Sequence, residues 1–335
     1  MKIFGKDLRR SPVLVAEIGL NHEGKFSKAK YLIDLAKKAG ADAVKFQSYN
    51  LEKYCSSDDT KRYKMLKKFN FKKKQFLKIF NYCKRKKIHC FSTAVTDDYV
   101  EFLAKNTKVI KVASGDLTFK PTLSRIAKTK AKVILSSGGA SLKEILNSIK
   151  YFKKISKSNL KKRLAILHCV SAYPAPINEL NLNSIKFLKD RTNLTIGYSN
   201  HSPNPNVVIT ALNLGAKIIE VHFTDNKKNN SIRDHSLSFD YTDLKNVAEY
   251  IKNIRKILGQ NNKKPQRCEK KNIKLIRKGL VASKNIKKYE IIKSNHLSFA
   301  RPATYFNFDQ MHKLIGKKIK LNKKKGELFK KNDFN

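Results

Sequence analysis

Eight short apolar runs, each followed by a stretch of helical spacing, recur over roughly 220 residues of this chain, and that count leaves few folds open. The runs are PVLVAEIGL (12–20), DAVKFQSY (42–49), IHCFST (88–93), VIKVASGD (109–116), KVILSSGG (132–139), LAILHCVSAYP (164–174), LTIGYSNH (194–201) and KIIEVHFT (217–224). Amphipathic segments lie between them, among them KAKYLIDLAKKAG (28–40), a basic helix near 72–87, SLKEILNSIKYFKK (141–154) and VVITALNLGA (207–216). A last helix, YTDLKNVAEYIKNIRKILG (241–259), ends on Gly259. Alternating strand and helix predicts an α/β protein, a (β/α)8 TIM barrel. The competing doubly wound sheet has fewer strands as a rule and a phosphate loop after its first one. Here that turn reads IGLNHEGKF, without GxGxxG.

Composition changes at GQNNKKPQRCEKKN (259–272), a polar stretch with a proline. The expected organisation is a barrel over 1–260, a linker over 261–272 and a small β-rich domain over 273–335. In the last part, 280–302 alternates like short strands and 314–334 repeats a pattern of strand, turn and strand.

Charge excludes less than it first suggests. Lys and Arg total 73 against 26 acids in 335 residues, a formal +47. The excess is spread over nearly every helix and is mostly lysine, with no RNP motif, zinc-finger spacing or basic-region heptad, so no specific nucleic-acid partner is expected. Solvated lysine faces from an AT-rich codon bias account for the pattern, and the general field attracts small anions. No apolar run is long enough to span a bilayer and the N-terminus has no signal-peptide apolar region, so no membrane partner and a cytoplasmic location are expected. The five cysteines form no CxxC pair and read as free, mostly buried thiols.

In a barrel the chemistry sits at the C-terminal ends of the strands. Those ends supply Glu17 and Asn21, Lys45 and Gln47, Ser92 and Thr93, Lys111, Ser114 and Asp116, Ser136 and Ser137, His168, Ser171 and Tyr173, then Ser199, Asn200, His201 and His222. The runs carrying His201 and His222 flank one helix, so they are expected to lie parallel and adjacent. Two imidazoles converging there suggest a divalent metal of the Mn²⁺ or Zn²⁺ kind; a loop cap and a core histidine are the bland alternative. Lys45 and Lys111 lie inside otherwise apolar runs, where an ammonium is costly without an anion. Lysines beside several hydroxyls suit a ligand bearing phosphate and carboxylate. Two other readings stay open at this point: ion pairs with Glu17 and Asp116 that do nothing else, and a Schiff-base aldolase or lyase.

VAEIGLNHEGK, AVKFQSY, FSTAVTDD, IKVASGD, ILSSGG, LHCVSAYPAP, IGYSNH and EVHFT stand in the order and spacing of the sialic acid synthase family, which this chain resembles over nearly its whole length. The C-terminal part resembles the antifreeze-like SAF domain that ends those enzymes. The resemblance implies condensation of phosphoenolpyruvate with an N-acetylated hexosamine, such as N-acetylmannosamine or a 6-deoxy diacetamido sugar, to a sialic-acid-type nonulosonic acid and phosphate. By position it implies Lys45, Thr93, Lys111, Ser114, Ser136 and Ser199 as phosphoenolpyruvate contacts. It implies Glu17, Gln47, Asp116, Tyr173 and Asp234 as sugar contacts, and His201 and His222 as ligands of Mn²⁺ or Mg²⁺. Glu17, Lys45 and Lys111 are the catalytic candidates. Arg301, in FARP, matches an arginine that reaches the sugar from the partner subunit of a domain-swapped homodimer.

Some positions depart from the family pattern. Asp116 stands where Glu is frequent, Ser171 where some members have Asn, and NKKNNSIRDHSLS (226–238) replaces the common GPDH form. Arg233 beside Asp234 adds a charge suited to an acidic or modified sugar. These differences bear on which sugar is used. His22 and His168 match the motifs and also read as structural histidines.

Overall fold

Aliphatic and β-branched residues fill the eight runs on both faces, which suits strands covered by helices outside and filled by side chains inside. All eight form parallel strands in the computed structural model, which describes residues 1–229 and 232–334. They are β1 (Val13–Gly19), β2 (Ala43–Ser48), β3 (His89–Ala94) and β4 (Val109–Val112), then β5 (Lys132–Ser136), β6 (Leu164–Cys169), β7 (Thr195–Asn200) and β8 (Ile218–His222). Each pairs with the next, and β8 closes on β1 with His222 opposite Glu17. The TIM barrel expectation holds. Closure rules out the doubly wound sheet, which has two free edges.

The helices outside the ring are α1 (Phe26–Ala39), α2 (Lys73–Arg85), α3 (Val100–Asn106), α4 (Lys120–Lys128), α5 (Leu142–Ser156), α6 (Ser184–Thr192), α7 (Pro205–Asn213) and α8 (Tyr241–Leu258). Their ends follow local chemistry. Capping boxes open α5 (Ser141 with Glu144) and α8 (Asp240 with Asp243). Gly40 closes α1 at φ 98°, and a Cβ there would stand 2.9 Å from that of Ala248 on α8.

Two layers of core follow from the pleat. Leu32, Ile33, Phe46, Phe76 and Val247 pack between strands and helices. Val13, Val15, Phe91, Ile134, Leu167 and Ile218 fill the barrel from within, under an N-terminal hairpin (Lys2–Ile3 with Lys6–Asp7) that adds Ile3 and Leu8. The bottom of the barrel is therefore closed by hydrocarbon, and the mouth is left to the polar strand ends.

Three runs overshoot their strands. β4 stops at Val112 and Ser114–Asp116 forms a 3-10 turn; β5 stops at Ser136 and β6 at Cys169. In each case Ser and Gly or Pro residues follow, and the chain turns away over the mouth. The connection from β2 to α2 carries two further helices, Leu51–Tyr54 and Thr60–Phe69. Cys55, Cys83 and Cys169 are buried free thiols, and Cys268 is exposed.

The chain divides into two compact units, Met1–Gly259 and Gln260–Asn335. In the second, Gly279–Ala282 pairs antiparallel with Leu297–Ala300. The expected strand, turn and strand over 314–334 does not form; that stretch is tied by single bridges such as Ile319 to Phe334 and Ile286 to Lys323. Its lysine-rich sequence offers too few alternating apolar residues for a ladder. A core of Leu280, Ile286, Ile292, Leu314, Ile319 and Phe329 holds the unit, with a buried Lys323–Asp333 ion pair at 2.8 Å. Among the described residues no helix is long and apolar enough to cross a membrane.

Candidate active site

Period-two alternation sets the site. On β1 the inward series runs Val13, Val15, Glu17, on β2 Ala43, Lys45, Gln47, and on β8 Ile218, Glu220, His222, apolar at the bottom and polar at the mouth. A cavity of about 1250 Å³ opens over these residues.

At its floor lies a buried cluster of two cations and two anions. Lys45 Nζ meets Glu17 Oε2 at 2.6 Å and Glu220 Oε1 at 3.7 Å, and donates to Thr93 Oγ1 at 3.0 Å. Lys111 Nζ donates to Glu220 Oε1 at 3.0 Å, and Ser199 Oγ donates to the same oxygen at 3.0 Å. Burial lowers both ammonium groups, but the carboxylates of Glu17 and Glu220 more than reverse this for Lys45, which is raised. Lys111, with Glu220 opposed by the Lys45 charge, stays lowered. Burial raises Glu220 as well, yet the two ammonium groups and the hydrogen bonds from Lys111 and Ser199 hold it well below the usual carboxylate range. The ion-pair reading from the sequence is half right: Lys45 pairs with Glu17, whereas Lys111 pairs with Glu220 and not with Asp116. Asp116 sits in the 3-10 turn after β4, and burial pushes its carboxyl up to about 6.

Glycines make room beside the cluster. Gly19 has φ 51°, and a Cβ there would stand 2.9 Å from Glu17 Oε1 and 3.3 Å from Gln47 Nε2, the two atoms that hydrogen-bond at 3.3 Å. A Cβ on Gly138 would collide with Ser171 Oγ and stand 3.0 Å from Ser114 Oγ and 3.1 Å from Cys169 Sγ. The Gly138 N–H donates to Ser114 Oγ at 3.1 Å, and Ser136 Oγ is buried with no hydrogen-bond partner among the described residues.

On β7 and β8 the two histidines come together, with ring centroids 5.5 Å apart. The parallel pairing of their strands matches the expectation. His201 Nδ1–H donates to the Val170 carbonyl at 2.6 Å, which leaves Nε2 as its free nitrogen. Burial, then the neighbouring His222, pushes His201 down to about 3, so the ring is neutral. His222 Nδ1 is buried without a hydrogen-bond partner among the described residues, 3.6 Å from Asp234 Oδ2. Tyr173 packs its ring 4.0 Å from that of His201, and Arg233 lies over Tyr173 at 4.7 Å.

The NeuB family model matches residues 32–263, and the SAF domain model matches residues 277–335. The chain belongs to the NeuB family. It is 35% identical over 336 residues to the N,N'-diacetyllegionaminic acid synthase of Campylobacter jejuni, covering 96% of this chain and 99% of that one. It is 29% identical to the pseudaminic acid synthase of Campylobacter jejuni over 100% of both chains. The solved N-acetylneuraminic acid synthetase of Leptospira borgpetersenii, in complex with citrate, is 34% identical and superposes with a TM-score of 0.73 over 78% of this chain and 90% of that one. As a NeuB-family enzyme the protein condenses phosphoenolpyruvate with an N-acetylated hexosamine to form a sialic-acid-type sugar. Membership also implies a divalent metal, although among the described residues no group of three or more His, Cys, Asp or Glu side chains is arranged to hold one.

The cavity brings together Glu17, Lys45, Gln47, Thr93, Lys111, Ser114, Asp116, Ser136, Tyr173, Ser199, His201, His222 and Asp234. Arg301 belongs to the second unit. His22 and His168 are structural: His22 is buried and stacked 4.1 Å from Phe71, and His168 donates to the Leu180 carbonyl at 2.8 Å. Glu220 escaped the sequence reading. Its signal was available, an acid inside the apolar run KIIEVHFT, two residues before His222 and so on the same side of the pleat. Within 226–238, Asn230 and Ser231 lie outside the described residues.

Proposed function

We propose that the mouth of this barrel is the synthase's active site and that its acceptor is a 6-deoxy diacetamido hexose. The observation that carries the site is the pair of buried lysines that meet on one Glu220 oxygen among hydroxyls, since two ammonium groups buried together are costly without an anion to hold. Lys45 and Lys111, with Thr93, Ser114, Ser136 and Ser199, hold the phosphate and carboxylate of phosphoenolpyruvate. Glu17, Gln47, Asp116, Tyr173 and Asp234 hold the sugar.

His201 and His222 fit a divalent metal, Mn²⁺ or Mg²⁺: one ring is kept neutral and fixed by a carbonyl, and the other carries a buried nitrogen with no hydrogen-bond partner among the described residues. Such an ion, when bound, supplies Lewis-acid polarisation of the open-chain sugar's aldehyde. C3 of phosphoenolpyruvate bonds to the aldehyde carbon, whose oxygen takes up a proton, and positive character develops at C2. Water adds at C2 and loses a proton, and the tetrahedral product breaks its C–O bond to release phosphate. Throughout, the lysines and hydroxyls hold charge that is already in place, so little reorganisation accompanies the reaction. Glu17, 2.6 Å from Lys45, is placed to orient a sugar hydroxyl or move a proton.

Two features support the acceptor. The curated relatives at this level of similarity include synthases of N,N'-diacetyllegionaminic and pseudaminic acids. The cavity also has an apolar wall of Leu20, Met65, Leu66, Val95 and Ile232, suited to acetamido and C6 methyl groups. Of the cations lining the cavity beyond the two buried lysines, Lys53 is tied to Asp97 at 3.3 Å, Arg62 lies over Tyr54 and Arg233 lies over Tyr173. Arg301 completes the sugar site from the partner subunit of a homodimer, and the enzyme works in the cytoplasm, where phosphoenolpyruvate is available. Phosphate release with Mn²⁺ and each of three acceptors tests this: N-acetylmannosamine, its 6-phosphate and a 6-deoxy diacetamido hexose. The last should give the highest kcat/KM; a preference for the 6-phosphate would contradict the acceptor reading.

A further inference from the structure

Lys45 and Lys111 are not equivalent. Lys45 has two carboxylates within reach, Glu17 at 2.6 Å and Glu220 at 3.7 Å. Lys111 has one among the described residues, Glu220 at 3.0 Å, and both lysines are almost fully enclosed. Glu220 is itself 5% exposed. Its Oε1 takes hydrogen bonds from Lys111 and Ser199, while its Oε2 has no hydrogen-bond partner among the described residues. A buried carboxylate with one oxygen unmet is costly to keep, and the barrel keeps it beside a site meant for an anion.

Resting on the phosphoenolpyruvate reading above, we propose that Glu220 is a positioning residue: it keeps Lys111 charged and, together with Ser199, aimed at the phosphoenolpyruvate site before that ligand arrives. Without Glu220, Lys111 would be a buried ammonium facing a second ammonium, Lys45, with no carboxylate in contact, and such a group gives up its proton. The other titratable groups around it do not replace Glu220. Glu17 is engaged by Lys45, and Asp116 forms no ion pair with Lys111. Neither the Cys169 thiol, which burial pushes up, nor the imidazole of His201 supplies a negative charge there. A carboxylate that merely filled the site would have the opposite effect, because deleting its charge would leave a more positive site and tighter anion binding.

Calorimetric titration of phosphoenolpyruvate into the full-length protein with Mn²⁺ and no sugar separates the two. For Glu220→Gln we expect Kd to rise about tenfold at pH 8 and less than about threefold at pH 6.5, because a neutral Lys111 must take up a proton on binding. Glu220→Asp, which restores the charge, should recover part of the loss. Binding by Glu220→Gln that is unchanged, tighter, or weakened equally at both pH values overturns the proposal. Should that variant fail to fold, proton uptake by the wild-type protein at pH 8, from titrations in two buffers, decides instead. Near zero supports a Lys111 that is already charged, and about one proton overturns it. The underlying site reading fails separately, if Lys45→Met and Lys111→Met both bind phosphoenolpyruvate as the wild type does.

Discussion

Asp116 forms no ion pair among the described residues, and burial holds its carboxyl up at about 6, above the usual 3.8 of an aspartate. A folded pKa above the unfolded one means that the folded state keeps a proton that the unfolded chain releases. Stability is therefore lost as pH rises from about 4 to about 6 and is level above that. Asp116→Asn removes the ionisation, so its gain over wild type in urea unfolding should grow across that window. At pH 7.5 it should reach about 1–2 kcal/mol, discounted for partial exposure. A gain independent of pH would contradict the burial explanation. Legibility at this scale was uneven. The lysines stood out because ammonium groups are rare in apolar runs, and Lys45 found the partner expected of it. Glu220 lies inside its run and not at the strand end, and only alternation, which turns it inward two residues before His222, marks it. Pairing Lys111 with Asp116 failed because the chain turns after Val112 and carries Asp116 off the strand.

At the scale of elements, apolar periodicity marked all eight strands, since a strand buried on both faces has no other composition open to it. Their ends were harder to read. SGG after Ser136 and VSAYP after Cys169 continue the run without continuing the strand, and the chain turns there beside the hydroxyls of Ser114 and Ser171. Gly138 lies there with its space taken up by Ser114, Ser171 and Cys169. In Gly138→Ala the added methyl displaces these groups. We expect KM for phosphoenolpyruvate to rise about tenfold, with KM for the sugar changed less than about twofold. Equal effects on both would place the phosphoenolpyruvate contacts elsewhere. The second unit was legible only in part, because its lysine-rich segments fold through single bridges and a small core rather than through ladders.

At the scale of the molecule, the +47 charge constrains the chemistry little, being spread over solvated helix faces, whereas closure of the barrel decides where catalysis sits. Sequence reaches the assembly only through Arg301, whose proposed role needs a second subunit. Arg301→Ala should raise KM for the sugar about tenfold or more while leaving phosphoenolpyruvate affinity unchanged. Mixing it with a barrel-dead Lys111→Met chain should recover up to one active site in mixed dimers; no recovery would mean that the arginine serves its own subunit. The most direct measurement is phosphate release from phosphoenolpyruvate plus acceptor by chelator-treated protein, before and after adding Mn²⁺, with His222→Ala alongside. Release that needs both substrates, returns with Mn²⁺ and is reduced at least about a hundredfold in His222→Ala is the expected result. Full release in the presence of chelator, or inactivation by borohydride through a trapped lysine adduct, would contradict a metal-dependent condensation at this barrel mouth.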